Sequence, residues 1–346
     1  MKKYTLIILM AMSSVAALAQ NKWNTEPYLT KSLSQAAIKE AFVRTSGGSI
    51  SVSGVEASQA RIEVYVSPNN NDKNINTEEL KQRLDDNYTL EITDKDHELH
   101  ATAKSKFGNI DWRKSVSISF KIFVPVQVAT NLTTSGGSIR LANLAGDQNF
   151  ATSGGSLHIA SVSGKIKGRT SGGSIQVEDA KQEIDLTTSG GSITANNCDG
   201  IITLVTSGGS LKLNQLNGTI NATTSGGSVT GSGVKGELIT STSGGSINLT
   251  EMACSIEAST SAGSLRVQMS EVGKYVKLNT SAGSIDLKMP PKNGLDLDLK
   301  GDRVNASISG KFQGSTETDR IEGKLNGGGT LVQAHASNGR VTLRFE

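Results

Sequence analysis

Apolar residues recur with a fixed spacing through the second half of the chain. In the unit that begins at Thr206 they are Leu211, Leu213, Leu216, Ile220 and Ala222. The unit before it has the same pattern, with Ile193, Ala195, Cys198, Ile202 and Leu204. Polar residues alternate with the first two and the last two members of each set. This period of two predicts two short, half-buried strands in every unit.

The units keep a constant length. A Thr-Ser-Gly-Gly-Ser motif or a close variant opens each one, and its threonines are Thr134, Thr152, Thr170, Thr188, Thr206, Thr224, Thr242 and Thr260, with Thr280 after a longer step and Thr45 far upstream. Eighteen residues cannot bury an apolar face alone, but copies stacked at about 4.8 Å per coil share one core. The sequence therefore predicts an all-β β-helix, or β-solenoid, with 18-residue coils.

The glycines mark two turns in every coil. We expect the Gly-Gly pair to form a corner in backbone conformations with positive φ, which glycine adopts without steric cost. The serine and threonine hydroxyls beside it can bind the N–H and C=O groups of that corner. A further glycine, twelve residues after the threonine in most units, predicts the turn between the two strands; its copies are Gly146, Gly164, Gly200, Gly218 and Gly236.

Two segments leave the repeat and predict caps for the ends of the stack. Residues 56–133 alternate as strands at 61–66, 88–93, 97–103 and 116–126. Between the first two, Asn76 predicts a helix N-cap, with Glu79 reaching back to it and Ile75 packing on Leu80, and the helix should end near Asn87. Residues 285–346 loosen the repeat and finish in a predicted last strand at 339–346.

The N-terminus predicts export. Lys2 and Lys3 precede an apolar stretch, and Ala17-Leu18-Ala19 offers a small-residue cleavage site, so residues 1–19 have the pattern of a signal peptide. The apolar run is too short for a membrane span, and we expect no transmembrane segment elsewhere. We expect residues 20–133 to form a first coil plus a cap insertion, and residues 134–346 to form the solenoid with its C-terminal cap.

The composition bears on which partner molecules the chain could bind and on whether it folds. Without Lys2 and Lys3 the chain has 33 basic and 32 acidic residues, which gives no electrostatic reason to expect nucleic acid. The 38 glycines and only 14 aromatic residues would suggest disorder, but the regular Val, Ile and Leu spacing indicates a repeat fold instead.

The same residues carry a family resemblance. An exported chain with an "IEVYV" strand, an "SISFKIFVPV" strand and serial "TSGGSI" coils resembles the DUF4097 family of adhesin-like proteins, in particular members from Bacteroidetes. The resemblance covers nearly all of the exported chain. It implies a right-handed, single-stranded β-helix on the cell envelope, in the periplasm or on the outer surface. It brings no catalytic or binding residue to transfer.

The sequence offers little catalytic chemistry. Ser232 and Lys235 match the S-x-x-K pattern, but they fall at a predicted repeat turn. His97 and His100 lie three apart in a predicted strand, so they should face opposite sides, unlike the helical metal motif in which two histidines share a face. The outward column fifteen residues after each threonine, which includes Asp185 and Glu257, places no two carboxylates on adjacent coils, as a glycosidase would require. We expect no catalytic residue, no cofactor and no metal site.

One segment is a candidate binding loop. Residues 104–114 combine two aromatic with four cationic residues, and the candidates are Lys106, Phe107, Trp112 and Arg113. The alternative is a loop folded over the core of the cap. We therefore expect a non-enzymatic envelope protein that binds a glycan or protein partner. The alternatives are a periplasmic scaffold without a ligand and, behind it, a polysaccharide-active enzyme; the oligomeric state stays open.

The two cysteines should remain reduced although the chain is exported. Cys198 and Cys254 belong to units three coils apart, about 14 Å along the stack. A disulfide spans no more than about 7 Å between Cα atoms. The repeat frame therefore predicts two free thiols.

Overall fold

The chain is an all-β protein, as the alternation predicts. The computed structural model describes residues 26–33, 38–69, 75–108, 111, 114–291 and 294–346. These residues form 28 β-strands, one α-helix and one short 3-10 helix. The predicted signal peptide, residues 1–19, lies outside the described residues.

The strands fall into three groups along the chain. The N-terminal group is β1 (Leu29–Ser32), β2 (Glu40–Arg44), β3 (Ile50–Val55), the 3-10 helix (Ala57–Gln59), β4 (Arg61–Pro68), α1 (Thr77–Asn87), β5 (Tyr88–Lys95), β6 (Glu98–Ser105) and β7 (Val116–Pro125). The repeat group is β8 (Ala129–Thr133), β9 (Ile139–Ala145), β10 (Gln148–Thr152), β11 (Leu157–Thr170), β12 (Ile175–Glu178), β13 (Lys181–Thr188), β14 (Ile193–Asn196), β15 (Asp199–Thr206), β16 (Leu211–Asn214), β17 (Asn217–Thr224), β18 (Val229–Ser232), β19 (Lys235–Thr242), β20 (Ile247–Ala262), β21 (Leu265–Ala282) and β22 (Ile285–Met289). The C-terminal group is β23 (Leu295–Lys300), β24 (Arg303–Ala306), β25 (Phe312–Thr316), β26 (Arg320–Leu325), β27 (Thr330–Asn338) and β28 (Arg340–Phe345).

Successive coils of the repeat pair in parallel with a step of eighteen residues. Ile175 lies opposite Ile193, and Ile193 lies opposite Leu211. The step grows to twenty between Ile256 and Val276, where β20 and β21 shift register. The constant step confirms the predicted 18-residue unit and turns each position of the unit into a column along the stack.

The columns that face inward form one continuous core. Leu211, Leu213, Leu216, Ile220 and Ala222 are all 1% exposed or less. The threonine that opens each unit is also buried, because it continues the inward parity of the strand before it. All five positions that the alternation predicts to face inward in this unit are therefore confirmed as buried.

The Gly-Gly corner has a different cause from the predicted one. Neither Gly190 nor Gly191 has a positive φ in the left-handed region. A Cβ placed on Gly191 would overlap the carbonyl oxygen of Gly173, one coil earlier, whereas a Cβ on Gly190 would lie 3.5 Å from its nearest neighbour, an ordinary contact. The second glycine is therefore required by the close approach of adjacent coils, and the positive-φ explanation is wrong for this corner.

Left-handed backbone occurs instead in the turn between the two strands of a coil. In the unit that begins at Thr188, Asn197 has φ 51° and Gly200 has φ 123°. Asp179 occupies the position of Asn197 one coil earlier, with φ 54°. Asparagine and aspartate tolerate this conformation better than other residues with a side chain. The predicted turn glycine is thus confirmed, and a second left-handed position precedes it.

The first coil lies inside the stack, not at its end. Strand β2 pairs in parallel with β6 on one side and β8 on the other, and β3 pairs likewise with β7 and β9. The insertion that follows β3 therefore passes beneath the first coil and returns above it. Antiparallel strands complete this end, because β4 pairs with β1 and β7, and β5 pairs with β6.

Helix α1 spans Thr77–Asn87 and follows the predicted start and end closely. Asn76 caps it by accepting the N–H of Glu79 at 2.7 Å. The Glu79 carboxylate does not form the predicted return contact; it pairs with Arg83 one turn further on. Strand β6 begins at Glu98, since Asp96 and His97 have positive φ in the turn before it.

The C-terminal end uses the same topology as the N-terminal end. Strand β27 lies between β21 and β23, and β28 lies between β22 and β24, all in parallel. Antiparallel β26 and β25 then cover β23. The last strand of the chain is present as predicted, but it belongs to an internal layer.

Candidate ligand-binding site

A cavity of about 220 Å³ opens on the outer face near the N-terminal end of the stack. Its walls come from three neighbouring strands, β2, β6 and β8. Their parallel register places Phe42 opposite His100 and Asn131, and Arg44 opposite Thr102 and Thr133. The cavity thus exists because a coil from the insertion stacks beside the first coil of the chain.

Aromatic and basic groups meet in this cavity. The rings of Phe42 and His100 stack with centroids 4.8 Å apart and planes 9° apart. His100 Nε2 also lies 2.8 Å from Glu98 Oε2 at the rim. Arg44 and Lys104 add two cations to the lining, and none of the described residues that line the cavity is acidic. Hydroxyl and amide groups of Thr102, Thr133 and Asn131 complete a surface that can hydrogen-bond to a polar, preferably anionic, ligand.

The predicted binding loop begins at Lys104, which also lines the cavity. Phe107 is 59% exposed, so it does not pack into the core of the cap. The Lys106 ammonium binds the carbonyl oxygen of Asp85, and its backbone N–H binds the carbonyl of Asn87 at 2.8 Å. Lys106 therefore anchors the loop to the end of α1. Trp112 and Arg113 lie outside the described residues.

Of the residues that line the cavity, the sequence placed Lys104 in the candidate loop but gave no sign that Phe42, Arg44 and His100 meet. Phe42 and His100 are 58 positions apart in the chain, and the sequence pattern relates His100 only to His97. The contact arises because the insertion passes beneath the first coil. Alternation in β2 and β6 shows that both side chains point outward, but it does not show that the two strands are neighbours.

The residues of the S-x-x-K pattern, Ser232 and Lys235, lie at the ends of two successive strands. Ser232 ends strand β18 and its hydroxyl donates to the Glu251 carboxylate of the next coil at 2.9 Å. Lys235 begins the following strand and is exposed. The serine hydroxyl therefore binds a carboxylate of the adjacent coil.

A second cavity, of about 480 Å³, lies at the C-terminal end, where Lys300, Asp302, Asp319 and His335 line it. His335 Nε2 lies 2.9 Å from Asp298 Oδ2, and Gln333 donates to the same oxygen at 3.1 Å. Partial burial opposes the charge of Asp298, but the contacts of His335 and Gln333 outweigh it and lower the pKa of that carboxyl. Within the described ranges, no group of three histidine, cysteine or acidic side chains could hold a metal ion.

The cysteines are buried, free thiols on different coils. Cys198 lies in the core column of its coil, and Cys254 aligns with Gly236, Gly218 and Gly200 in successive coils. Burial raises the pKa of Cys198 to about 11 and that of Cys254 to about 12. The predicted free state is confirmed.

The fold is that of a repetitive, solenoid-like β-protein, and a family model identifies its family. The chain belongs to the DUF4097 family, described as Toastrack DUF4097, whose model matches residues 55–344. The predicted family membership is therefore confirmed. No curated protein matches the chain.

Two solved structures are similar to this chain at low identity. One is a putative cell adhesion protein from Clostridium sporogenes ATCC 15579, 12% identical, covering 93% of this chain and 100% of that one, with a TM-score of 0.22. The other is a putative adhesin from Bacteroides fragilis NCTC 9343, also 12% identical, covering 75% of this chain and 95% of that one, with a TM-score of 0.33. Where the present structure describes the chain, it contains no helix long and apolar enough to cross a membrane.

Proposed function

We propose that this protein is a non-enzymatic adhesion protein of the cell envelope that binds a glycan in the N-terminal cavity. The supporting observation is the combination of the stacked Phe42 and His100 rings with Arg44 and Lys104 in one polar recess. Ring faces pack against the C–H faces of sugars, while the cations and hydroxyls bind sugar oxygens. A glycan with a carboxylate or sulfate fits this lining better than a neutral one.

The proposal includes export and a specific winding. Residues 1–19 would direct the chain out of the cytoplasm, and the stack would present its outer face to the partner. We also propose that the coils wind in a right-handed sense, as crossovers between parallel strands almost always do. The scaffold without a ligand and the polysaccharide-active enzyme are the competing functions.

A glycan array followed by calorimetry tests the proposal. The purified chain should bind an acidic glycan, and Arg44→Ala should weaken that binding by about tenfold or more, because a charge-assisted hydrogen bond is lost. Arg169→Ala is the matched control: it removes an exposed arginine from the same outward column, three coils further along, and should leave binding within about twofold.

Each alternative gives a different result in the same experiments. The scaffold predicts no saturable binding to any glycan, and the enzyme predicts shortened glycan products on incubation. Phe107→Ala separates the cavity from the adjacent loop: unchanged binding would assign the ligand to the cavity alone. Protease treatment of intact cells should release peptides of this chain if it lies on the outer surface.

A further inference from the structure

A groove of about 380 Å³ follows the serine corner near the C-terminal end of the stack. Ser246, Ser264 and Ser284 lie one above another along it. Each Oγ accepts an N–H from the next coil: Ser264 N–H binds Ser246, Ser284 N–H binds Ser264, and Arg340 N–H binds Ser284, at 3.2–3.3 Å. Because these oxygens act as acceptors within the protein, their hydroxyl hydrogens are available to donate into the groove.

Two arginines give the groove a positive charge. Arg266 and Arg340 are exposed, and neither guanidinium has an ion-pair partner among the described side chains. The acidic residue in the groove is Asp286, and Arg344 holds both of its oxygens at 2.5–2.6 Å. Both contacts come from Nη2 of Arg344, and this ion pair offsets the charge of the carboxylate. The free charge of the groove is therefore that of Arg266 and Arg340.

The two arginines are spaced along the axis of the stack. Arg266 lies opposite Asp286, and Asp286 lies opposite Thr342, two residues after Arg340. The coils of Arg266 and Arg340 are thus two layers apart, or about 9.5 Å. The hydroxyls of Ser264 and Ser284 lie on the two layers that lead from Arg266 to Arg340, which occupies the serine position of its own coil. This regular spacing suits a linear polymer better than a compact ligand.

Two further cations share the outward column of Arg266 beyond the groove. Lys212 lies in it three coils earlier and Arg140 seven coils earlier, and the positions between these cations hold uncharged residues or His158. His158 lies next to Arg140 in this column, and burial together with Arg140 lowers its pKa. At neutral pH the charge of the column therefore comes from permanently charged lysine and arginine.

We propose that this serine–arginine groove binds an acidic polysaccharide, extended along the axis of the coils. The arginines would bind its carboxylates or sulfates, and the serine hydroxyls would donate to its oxygens. Nucleic acid fits less well, because the groove has no aromatic side chain on which a base could stack and the chain as a whole is nearly neutral. This site lies on different strands from the N-terminal cavity, so either proposal can fail without the other.

The test measures binding of polygalacturonate oligosaccharides by calorimetry. We expect saturable binding that Arg266→Ala with Arg340→Ala weakens by about tenfold or more. The control pair, Lys167→Ala with Arg169→Ala, removes the same charge from exposed positions on another face and should change affinity by no more than about twofold. Both double variants should keep the thermal midpoint, since all four side chains are exposed.

Three results would overturn the proposal. The first is no saturable binding of polygalacturonate by the wild-type protein. The second is an equal loss in both double variants, which would mean that only net charge matters. The third is equal or tighter binding of a DNA oligonucleotide, or of a neutral glucan oligosaccharide of the same length, because either would contradict an acidic polysaccharide as the ligand. Arg44→Ala should leave binding at this groove unchanged.

Discussion

The hydroxyl of Thr188 donates a hydrogen bond of 2.8 Å to the carbonyl oxygen of Gly173, which lies one coil earlier in the stack. The same oxygen of Thr188 accepts the N–H of Gly191 at 3.3 Å. The threonine therefore joins the corner of its own coil to the corner of the coil before it. The pair of bonds recurs at Thr170, Thr206, Thr224 and Thr242. This explains why one buried column of the core carries a hydroxyl in every coil.

Thr188→Val should destabilise the protein although it preserves shape. The substitution leaves a buried carbonyl and a partly buried N–H without this partner, which costs about 1–3 kcal/mol. Denaturant unfolding measures this loss. The control is Thr187→Val, because Thr187 is the outward neighbour in the same strand and valine is well suited to strands. If both variants were as stable as the wild type, the hydroxyl would have no role in stacking.

The repeat could be predicted from sequence because every relevant contact is periodic. A side chain at position i meets the one at i plus eighteen, so Leu211 and Val229 must share a column once the period is known. The alternation of apolar and polar residues alone was enough to predict which side chains of each strand face the core. The glycine corner was located correctly for the same reason. Its cause was not, because the sequence shows a glycine at Gly191 without showing whether φ or space requires it.

The two ends could not be predicted in the same way. There the neighbouring strands are not consecutive in the chain, and their register is set by insertions of irregular length. Phe42 and His100 therefore meet without any periodic signal. The candidate cavity was missed for this reason, while the nearby loop with Phe107 was found from composition. Trp112 and Arg113 of that loop remain a prediction.

Hydrogen exchange should reveal the internal position of the terminal coils. Strands β2 and β27 each have a parallel partner on both sides, so their amides should exchange as slowly as those of central strands such as β15. Strand β25, which pairs only with β26 among the described strands, should exchange faster. Mass spectrometry of peptic peptides measures this order. Rapid exchange in residues 330–338 would contradict the layer order at the C-terminal end.

The two cysteines should react only after unfolding. With pKa values of about 11 and 12, their thiolate fraction at pH 8 is at least about 100-fold below that of an ordinary cysteine. Iodoacetamide should leave both unmodified in the native protein and modify both in denaturant, as intact mass shows. A Cys198–Cys254 disulfide in the native protein would instead mean that the stacking frame is wrong.

The same pKa values predict how stability changes with pH. The folded state holds both thiol protons to higher pH than the unfolded state, whose thiols titrate near 9.0. Their contribution is therefore fully present below pH 9 and is lost as pH rises toward 11 and 12. Between pH 8 and 10.5 the unfolding free energy should fall more steeply for the wild type than for Cys198→Ala with Cys254→Ala. Equal slopes would show that the thiols are not protected by burial.

The central claim is that the repeated Thr-Ser-Gly-Gly-Ser motif allows the coils to stack, and that any ligand binds to the outward-facing columns instead. The two glycines of one corner test it, because Cβ atoms meet different surroundings at Gly190 and Gly191. The chain itself carries alanine at the first position in two later corners, at Ala262 and Ala282, and keeps glycine at the second.

The most direct measurement is the unfolding free energy of Gly190→Ala and Gly191→Ala in denaturant. We expect Gly190→Ala to remain within about 0.5 kcal/mol of the wild type, as an exposed substitution does. We expect Gly191→Ala to lose about 3 kcal/mol or more, because its Cβ must displace the backbone of the preceding coil. Equal effects of the two substitutions would contradict the account.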